Sequence, residues 1–201
     1  AAFSESDEAL VSLLATQAAA AIEASWLYTE LRSTSTITTQ LYQLSTRVIQ
    51  SEQLADAAAS IAETAYQVSK GKVAGIILLD PETGEIEAKV QVDVNGVHPG
   101  AQHPMELVEQ ALERGQSIII SESNDMARVC LPMKTPRRQY GALWVEVPEE
   151  NWYNARFSNN LNTLANQAAI ALERSILLVE TRKQADEIKA AYRELELTYN
   201  Q

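Results

Sequence analysis

Few side chains in this sequence are of the types that carry out catalysis or bind metal ions. The chain contains two histidines, His98 and His103, and one cysteine, Cys130. The histidines are five residues apart with Pro99 between them, and no third type of metal ligand is patterned around them. We therefore predict no metal site, and we expect His103 to cap the helix that begins at Pro104.

The sequence also lacks the short motifs that indicate an enzyme. It contains no HExxH, no P-loop, no glycine-rich dinucleotide fingerprint and no GxSxG turn. Cys130 is followed by Leu131 and Pro132 in an apolar run, which favours a buried and unreactive thiol over a nucleophile. These observations predict that the chain is not an enzyme and that it holds no cofactor.

The composition is that of a globular protein with an acidic surface. The net charge of −11 and the pI of about 4.7 disfavour nucleic-acid binding, because phosphate repels such a surface. The only basic cluster, Lys134, Arg137 and Arg138, is predicted to be a solvated loop. A lone cysteine, no apolar stretch long enough for a bilayer and no signal peptide together predict a cytoplasmic protein or a cytoplasmic part of one.

The elements that would position these residues begin with helices. From Asp7 to about Arg32 there is no Gly or Pro and Ala is abundant, which predicts a helix. Ser33–Thr39 is either a flexible linker or a weak turn within one longer helix, and the continued apolar spacing from Ile37 favours the continuous helix. A second helix is predicted from Ser51 to about Ser69, with Gly71 as its stop.

The middle of the chain has the pattern of short strands. Residues 73–80 and 85–92 flank the turn signal PETG and predict a β-hairpin, which the loop 95–100 follows. A short helix is predicted from Pro104 to Arg114, with Gly115 as its stop. The remaining predicted elements are strands at 117–120, 128–133 and 142–147, a loop over PEENWYNAR, and a closing helix from about Ser158.

The closing helix extends into a second apolar pattern, with spacings of three and four residues that are typical of a coiled-coil seam. The alternative is a solvated amphipathic helix packed on its own domain. We favour the coiled coil and predict a dimer. The predicted seam consists of Leu178, Thr181, Ala185, Ile188, Tyr192, Leu195 and Tyr199.

The two ends of the chain contain nearly the same segment. Leu14–Arg32 and Leu164–Arg182 carry the same residue at eleven equivalent places. A repeat with so long a period is typical of tandem domains, and here each copy would be the helix that closes one domain.

The order of helix, hairpin, short helix, three strands and long helix resembles that of a GAF domain. The likeness lies in AGIILLDPETGEIEAKV, LVEQALERGQSIII, CLPM, YGALWVEV and F…LNTLANQAAIALERS, and it spans roughly residues 41–180. It implies an α+β fold, with an antiparallel sheet covered by helices on one face and a ligand pocket beside the 104–114 helix on the other. Residues 1–40 would then be the closing helix of an upstream GAF domain with its linker, and residues 181–201 a coiled-coil linker.

The resemblance implies a non-catalytic sensory module of a bacterial signalling protein of the two-component kind. This module would dimerise through its terminal helices and relay an input to an output domain in the same chain. The output domain would be a histidine kinase, a diguanylate cyclase or an HD-GYP phosphodiesterase. A small-molecule ligand is compatible with this reading. By their loop positions, the candidate ligand-binding residues are Asp93, Asn95, His98, Asn124, Asp125 and Arg128.

Two specialised ligands of such domains are not expected. Bilin attachment uses a cysteine that is usually followed by histidine, whereas Leu131 follows Cys130. The Asn-Lys…Phe-xxx-Asp-Glu motif of cyclic-nucleotide binding is not present, because Leu161 stands four residues after Phe157. Phe3 with Asp7 and Glu8 matches half of that motif, but we favour a helix start with acids at the positive end of the helix dipole as the explanation of this stretch.

Two other functions fit the fold. One is a ligand-free dimerisation spacer whose pocket is filled by its own side chains, for which Trp144, Trp152 and Tyr153 are candidates. The other is a small-molecule enzyme such as a methionine sulfoxide reductase. That class needs reactive cysteines, and one cysteine on an apolar strand argues against it.

Overall fold

The computed structural model of the protein describes residues 5–51, 53–80, 82–122 and 125–199. Within these ranges it does not describe the side chains of residues 5–8, 26–37, 192 and 194–199. The chain forms two compact units, Ala1–Gln40 and Leu41–Gln201.

The first unit is helical. Helix α1 runs from Glu5 to Gln50, and its residues up to Gln40 belong to this unit. The helix is continuous through Ser33–Thr39, as predicted, because no Gly or Pro interrupts it. Residues 9–25 are all exposed, including the apolar residues among them.

The second unit begins with the end of α1 and with α2, which packs on a sheet. The last turns of α1 bury Leu44 and Val48. Helix α2 (Leu54–Ser69) begins three residues later than predicted. It ends at Lys70, which takes the left-handed conformation with φ of 50°, so the predicted role of Gly71 as the stop is wrong. Gly71 is needed for another reason, since a Cβ there would collide with the backbone oxygen of Glu146.

The sheet has six antiparallel strands in the order β3-β2-β1-β6-β5-β4. The predicted hairpin is confirmed as β1 and β2. Edge strand β3 lies in a segment predicted to be a loop, where it pairs with β2. The strands are β1 (Val73–Leu79), β2 (Ile86–Asp93), β3 (Gly96–Pro99), β4 (Ile118–Ser121), β5 (Met126–Lys134) and β6 (Gln139–Pro148).

Three further helices complete the unit. Helix α3 (Met105–Arg114) lies between β3 and β4, and Gly115 ends it with φ of 59°, as predicted. A short helix, α4 (Glu149–Tyr153), replaces the predicted loop. Helix α5 (Ala155–Tyr199) begins earlier than Ser158, because the side chain of Asn154 accepts hydrogen bonds from the backbone N–H groups of its first turn.

Both faces of the sheet are covered, because side chains alternate between the faces along each strand. On one face, α1, α2 and α5 bury the main core, which includes Ile76, Leu131, Leu143 and Leu164. On the other face, α3 covers a smaller cluster, as predicted for the 104–114 helix. That cluster comprises Ile77, Leu107, Val108, Ala111, Cys130, Ala142 and Trp144.

The predicted coiled-coil seam lies on the distal part of α5. Leu178 and Ile188 are exposed by 43% and 57%, and Ala185 is exposed as well. The side chains of Tyr192, Leu195 and Tyr199 lie outside the described residues, so the seam stays a prediction. Among the described residues, no helix combines the length and the apolar character that crossing a membrane requires.

Candidate ligand-binding site

The α3 face of the sheet is built around Trp144 of β6. Its indole lies across Gly75 of the neighbouring strand β1, where any Cβ would collide with the ring. The indole Nε1–H donates a hydrogen bond of 2.8 Å to Nδ1 of His103, and the two rings meet edge to face at 5.8 Å. Gly75 therefore creates the space through which Trp144 reaches the loop before α3.

This hydrogen bond fixes the protonation state of His103. Burial, together with the nearby positive charge of Lys89, lowers the pKa of His103 to about 4, so the ring is neutral at pH 7. An indole N–H can only donate, so Nδ1 accepts and the single proton of the ring resides on Nε2. The Nε2 atom is buried and has no hydrogen-bond partner among the described residues. His103 thus holds a buried N–H group without an acceptor.

Arg128 of β5 provides a second such donor. Its Nη1 lies 2.9 Å from Glu122 and its Nη2 lies 3.2 Å from Glu146, while its guanidinium carbon lies 5.8 Å from the centre of the Trp144 ring. Its Nε is buried and has no partner in the part of the chain that the structure describes. An unsatisfied buried donor costs about 1–3 kcal/mol, so two on one face call for an explanation.

A cavity of about 300 Å³ lies beside Arg128. The first turn of α3 forms one wall, and β4 and β5 with the segment between them form the other. The volume is at the lower end of the range for small-molecule sites. The lining residues are Pro104, Met105, Glu106, Leu107, Ile120, Glu122 and Arg128.

The structure separates the predicted ligand-binding residues into two groups. Asp93, Asn95 and His98 lie together at the β2–β3 turn. There Asp93 Oδ1 accepts a hydrogen bond from the backbone N–H of Asn95 and lies 3.0 Å from His98 Nε2. These two hydrogen bonds, the one with His98 first, lower the pKa of Asp93. The arrangement is that of a stable turn.

Of the predicted residues that the structure describes, only Arg128 lines the cavity. Asp93 and Arg128 occupy one row across β2, β1, β6 and β5, which separates them by three strand spacings, about 14 Å. Asp125 precedes β5 with φ of 55°, and its carbonyl accepts a hydrogen bond from the backbone N–H of Glu149. Asn124 lies outside the described residues.

The predicted role of His103 as a helix cap is wrong. Pro104 is the N-cap of α3, no side chain caps the helix, and the ring of His103 turns to Trp144 instead. Sequence reasoning did not include His103, Glu122 or Glu146 among the candidate ligand-binding residues. A small residue at position 75 opposite a tryptophan is the one signal that could have indicated the arrangement.

The three aromatic residues predicted to fill the pocket lie in different places. Trp144 fills the α3 face and is only 4% exposed. Trp152 packs against the core on the opposite face of the sheet. Tyr153 is 71% exposed and donates a hydrogen bond to Glu149.

Cys130 is an unreactive core residue, as predicted. It has no exposed surface and lies in the cluster with Trp144 under α3. Burial raises the pKa of its thiol to about 12, so the nucleophilic thiolate is scarce at neutral pH.

The β5–β6 turn, defined here as Lys134–Tyr140, links this face to α5. On one side, Lys134 Nζ donates to the carbonyl of Gly115 at 2.6 Å, and Gln139 Nε2 donates to the carbonyl of Leu112. On the other side, Thr135 Oγ1 donates to Glu173 of α5 at 3.3 Å. One short turn thus holds both the C-terminal end of α3 and the middle of α5.

Comparisons with known proteins show that the chain is similar in fold to solved GAF domains. No protein-family model matches the chain, and no curated protein matches it. The chain is similar to the native GAF domain of the potassium sensor histidine kinase KdpD from Escherichia coli, with a TM-score of 0.53 and 18% identity. That match covers 72% of this chain and 98% of the other.

Two further solved structures share this fold. A GAF domain from Pseudomonas syringae pv. tomato matches with a TM-score of 0.50 and 15% identity, over 78% of this chain and 98% of the other. The free methionine-R-sulfoxide reductase from Neisseria meningitidis, solved with its substrate, matches with a TM-score of 0.50 and 14% identity. It covers 71% of this chain and 91% of the reductase. The chain therefore has the GAF fold.

Proposed function

We propose that the chain is a sensory module of a bacterial signalling protein and that a small molecule binds on its α3 face. The observation that carries the proposal is the pair of buried donors, His103 Nε2 and Arg128 Nε, on the face where α3 meets the sheet. A ligand with hydrogen-bond acceptors would satisfy donors that the protein leaves unpaired, and the cavity beside Arg128 would hold part of it.

The relay to the rest of the protein would pass through the β5–β6 turn. The same turn contacts α3, which lines the cavity, and α5, which leaves the domain. A ligand that shifts the first turn of α3 would bias the position of Glu173 through this connection. The distal part of α5 would pair with that of a second copy through Leu178, Ala185 and Ile188, in a cytoplasmic dimer. The output domain would be a histidine kinase, a diguanylate cyclase or an HD-GYP phosphodiesterase.

We further propose that this module is the second of two in tandem, with residues 1–40 as the closing helix and linker of the first. The repeat of Leu14–Arg32 as Leu164–Arg182 supports this arrangement, because the second copy is the part of α5 that closes the described domain.

Two alternatives differ in what they require of the site. A ligand-free spacer is favoured by Trp144, which already fills most of the α3 face. A reductase would need a reactive thiol, and the burial and raised thiol pKa of Cys130 argue against it. The ligand-free spacer is therefore the main alternative to the sensor.

Native mass spectrometry of the purified chain, before and after mild denaturation, tests the proposal. A dimer that carries a small molecule released on denaturation supports the sensor. The matched variants Arg128→Met and Asp93→Asn locate the molecule, since only the first should reduce its occupancy. A clean mass, together with no thermal shift in a panel of small metabolites, would favour the spacer.

A further inference from the structure

We infer that the exposed apolar face of α1 between Val11 and Ile22 is a docking surface for a sheet of this same fold. The inference rests on the proposed tandem arrangement and identifies the surface that such an arrangement would use.

The corresponding face of helix α5 is covered by the sheet. Between Leu161 and Leu172 the buried positions form one face of the helix, which packs on β5 and β6 and against α2. Leu161 and Leu164 are completely buried and Leu172 is 1% exposed, while the alanines between them let the backbone approach the sheet closely. The buried positions are 161, 164, 165, 168, 169, 171 and 172.

Every one of these positions has an apolar counterpart in α1, at a constant offset of 150 residues. Five are identical, and the other two exchange one branched aliphatic side chain for another, since Val11 stands for Leu161 and Ile22 for Leu172. The identical residues in α1 are Leu14, Ala15, Ala18, Ala19 and Ala21.

The same residues are exposed in the first unit. Val11 is exposed by 58%, Leu14 by 56% and Ile22 by 70%, although the counterparts of all three are buried in α5. A continuous apolar face of this kind is unusual on an isolated helix and indicates a missing contact surface. Because its residues match those of α5 one by one, the surface that fits it is the sheet face that α5 covers.

The polar residue after this face agrees with the same occupant. Glu173, which accepts a hydrogen bond from Thr135 in the β5–β6 turn, has Glu23 as its counterpart in α1. The match between the two helices therefore extends one residue beyond the apolar face.

Copying the α1 segment into α5 tests the inference. Residues 161–172 would receive the sequence of residues 11–22, except that Asn162, which bonds Ser117 and Ser158, is retained. The chimera then carries Leu161→Val, Thr163→Leu, Asn166→Thr, Ile170→Ala and Leu172→Ile. A matched control receives residues 9–20 instead, again with Asn162 retained, which shifts the same stretch by two positions and places Ser, Thr and Gln at the buried positions 164, 168 and 169.

We expect the chimera to unfold cooperatively with its midpoint lowered by less than about 10 °C, and the shifted control to lose its cooperative transition. If the chimera also loses cooperative unfolding, the α1 face does not fit this sheet and the inference is overturned. If Leu14→Asp instead abolishes self-association of the chain, the occupant is a helix of a second copy, which also overturns it. Neither result depends on the ligand, so the proposed sensing function is tested separately.

Discussion

Nδ1 of His103 accepts the indole N–H of Trp144 at 2.8 Å, which leaves the imidazole neutral and its only proton on a buried nitrogen. Protonating this ring in the folded protein would break the hydrogen bond and place a positive charge in a partly buried position near Lys89. The folded state therefore resists a protonation that the unfolded chain accepts.

Lowering the pH below about 6.5 should consequently destabilise the protein, even at pH values above its isoelectric point. The folded pKa of about 4 lies below the ordinary value of 6.5, so the stabilising effect is complete above pH 6.5 and is lost as the pH falls toward 4. Discounted for the partial exposure of the ring, the loss from pH 7.5 to 5.5 should be about 0.5–1 kcal/mol. Urea unfolding measures it. His103→Gln should remove this dependence and His98→Gln should not, and an unchanged slope in His103→Gln would contradict the assignment.

Gly75→Ala should destabilise the protein by about 1–3 kcal/mol, because the added methyl group meets the indole of Trp144. The same substitution in a Trp144→Leu background should cost much less, since the smaller side chain leaves room. Chemical unfolding of the two single variants and the double variant gives the interaction energy. Equal costs in both backgrounds would show that Gly75 is needed for a reason other than the indole.

Arg128→Gln should lower the free energy of unfolding by about 1–2 kcal/mol. The substitution leaves Glu122 and the largely buried Glu146 without their cation and removes the contact with Trp144. Lys189→Gln is the matched control, because it removes the same charge from an exposed pair with Asp186 and should have almost no effect. The comparison fails if the two variants unfold at the same urea concentration.

Removing a contact between the β5–β6 turn and α3 should increase hydrogen exchange in α5. In Lys134→Ala, which removes the hydrogen bond to Gly115, we expect backbone amides of α5 around Glu173 to exchange about threefold to tenfold faster. Hydrogen-exchange mass spectrometry measures this, with Lys72→Ala as an exposed control of the same charge change. Glu173→Gln should have the reciprocal effect on α3. A response confined to α3 and the turn would rule out this relay.

The distal part of α5 should govern dimerisation. Ile188→Asp should weaken the dimer at least about tenfold, because it places a charge in the predicted seam. Val179→Asp introduces the same charge at an apolar, 60% exposed residue outside the seam and should have little effect. Analytical ultracentrifugation measures both. The seam is wrong if the unaltered chain is a monomer, or if both variants weaken the dimer equally.

The long elements could be predicted from the sequence, because nothing in them competes with their pattern. Helices α1 and α5 lack Gly and Pro, and the hairpin of β1 and β2 has strong turn chemistry between its strands. Strand β3 could not be predicted, since Val97 is its only large apolar residue and it carries Pro99. It exists because β2 offers an open edge for pairing. The conformation of Lys70 was equally hidden, because lysine rarely adopts positive φ.

Of the candidate residues that the structure describes, Arg128 is the one that lies at the cavity. Loop position favoured Asp93, Asn95 and His98, but the Asp93 carboxylate is held within its own turn by the backbone N–H of Asn95 and by the His98 ring. The contact of His103 with Trp144 joins residues far apart in sequence and depends on the missing side chain of a third residue, Gly75. Local sequence patterns cannot predict such an arrangement, because it forms only when β1 and β6 pair in the sheet.

The strand order divides the sheet into pairings that are local in sequence and one pairing that is long-range. Strands β1, β2 and β3 are consecutive in the chain and adjacent in the sheet, and the same is true of β4, β5 and β6. Each of these two halves of the sheet can therefore form from pairings that are local in sequence. Only the pairing of β1 with β6 joins the halves, and closing the long loop between these strands should be the slow step of folding. Gly75 of β1 and Gly141 of β6 lie where these two strands pair. Gly75 leaves room for the indole of Trp144, and Gly141 leaves room for the backbone of Ile77. Substitutions there should retard refolding, whereas changes at the edge strand β3 should mainly hasten unfolding.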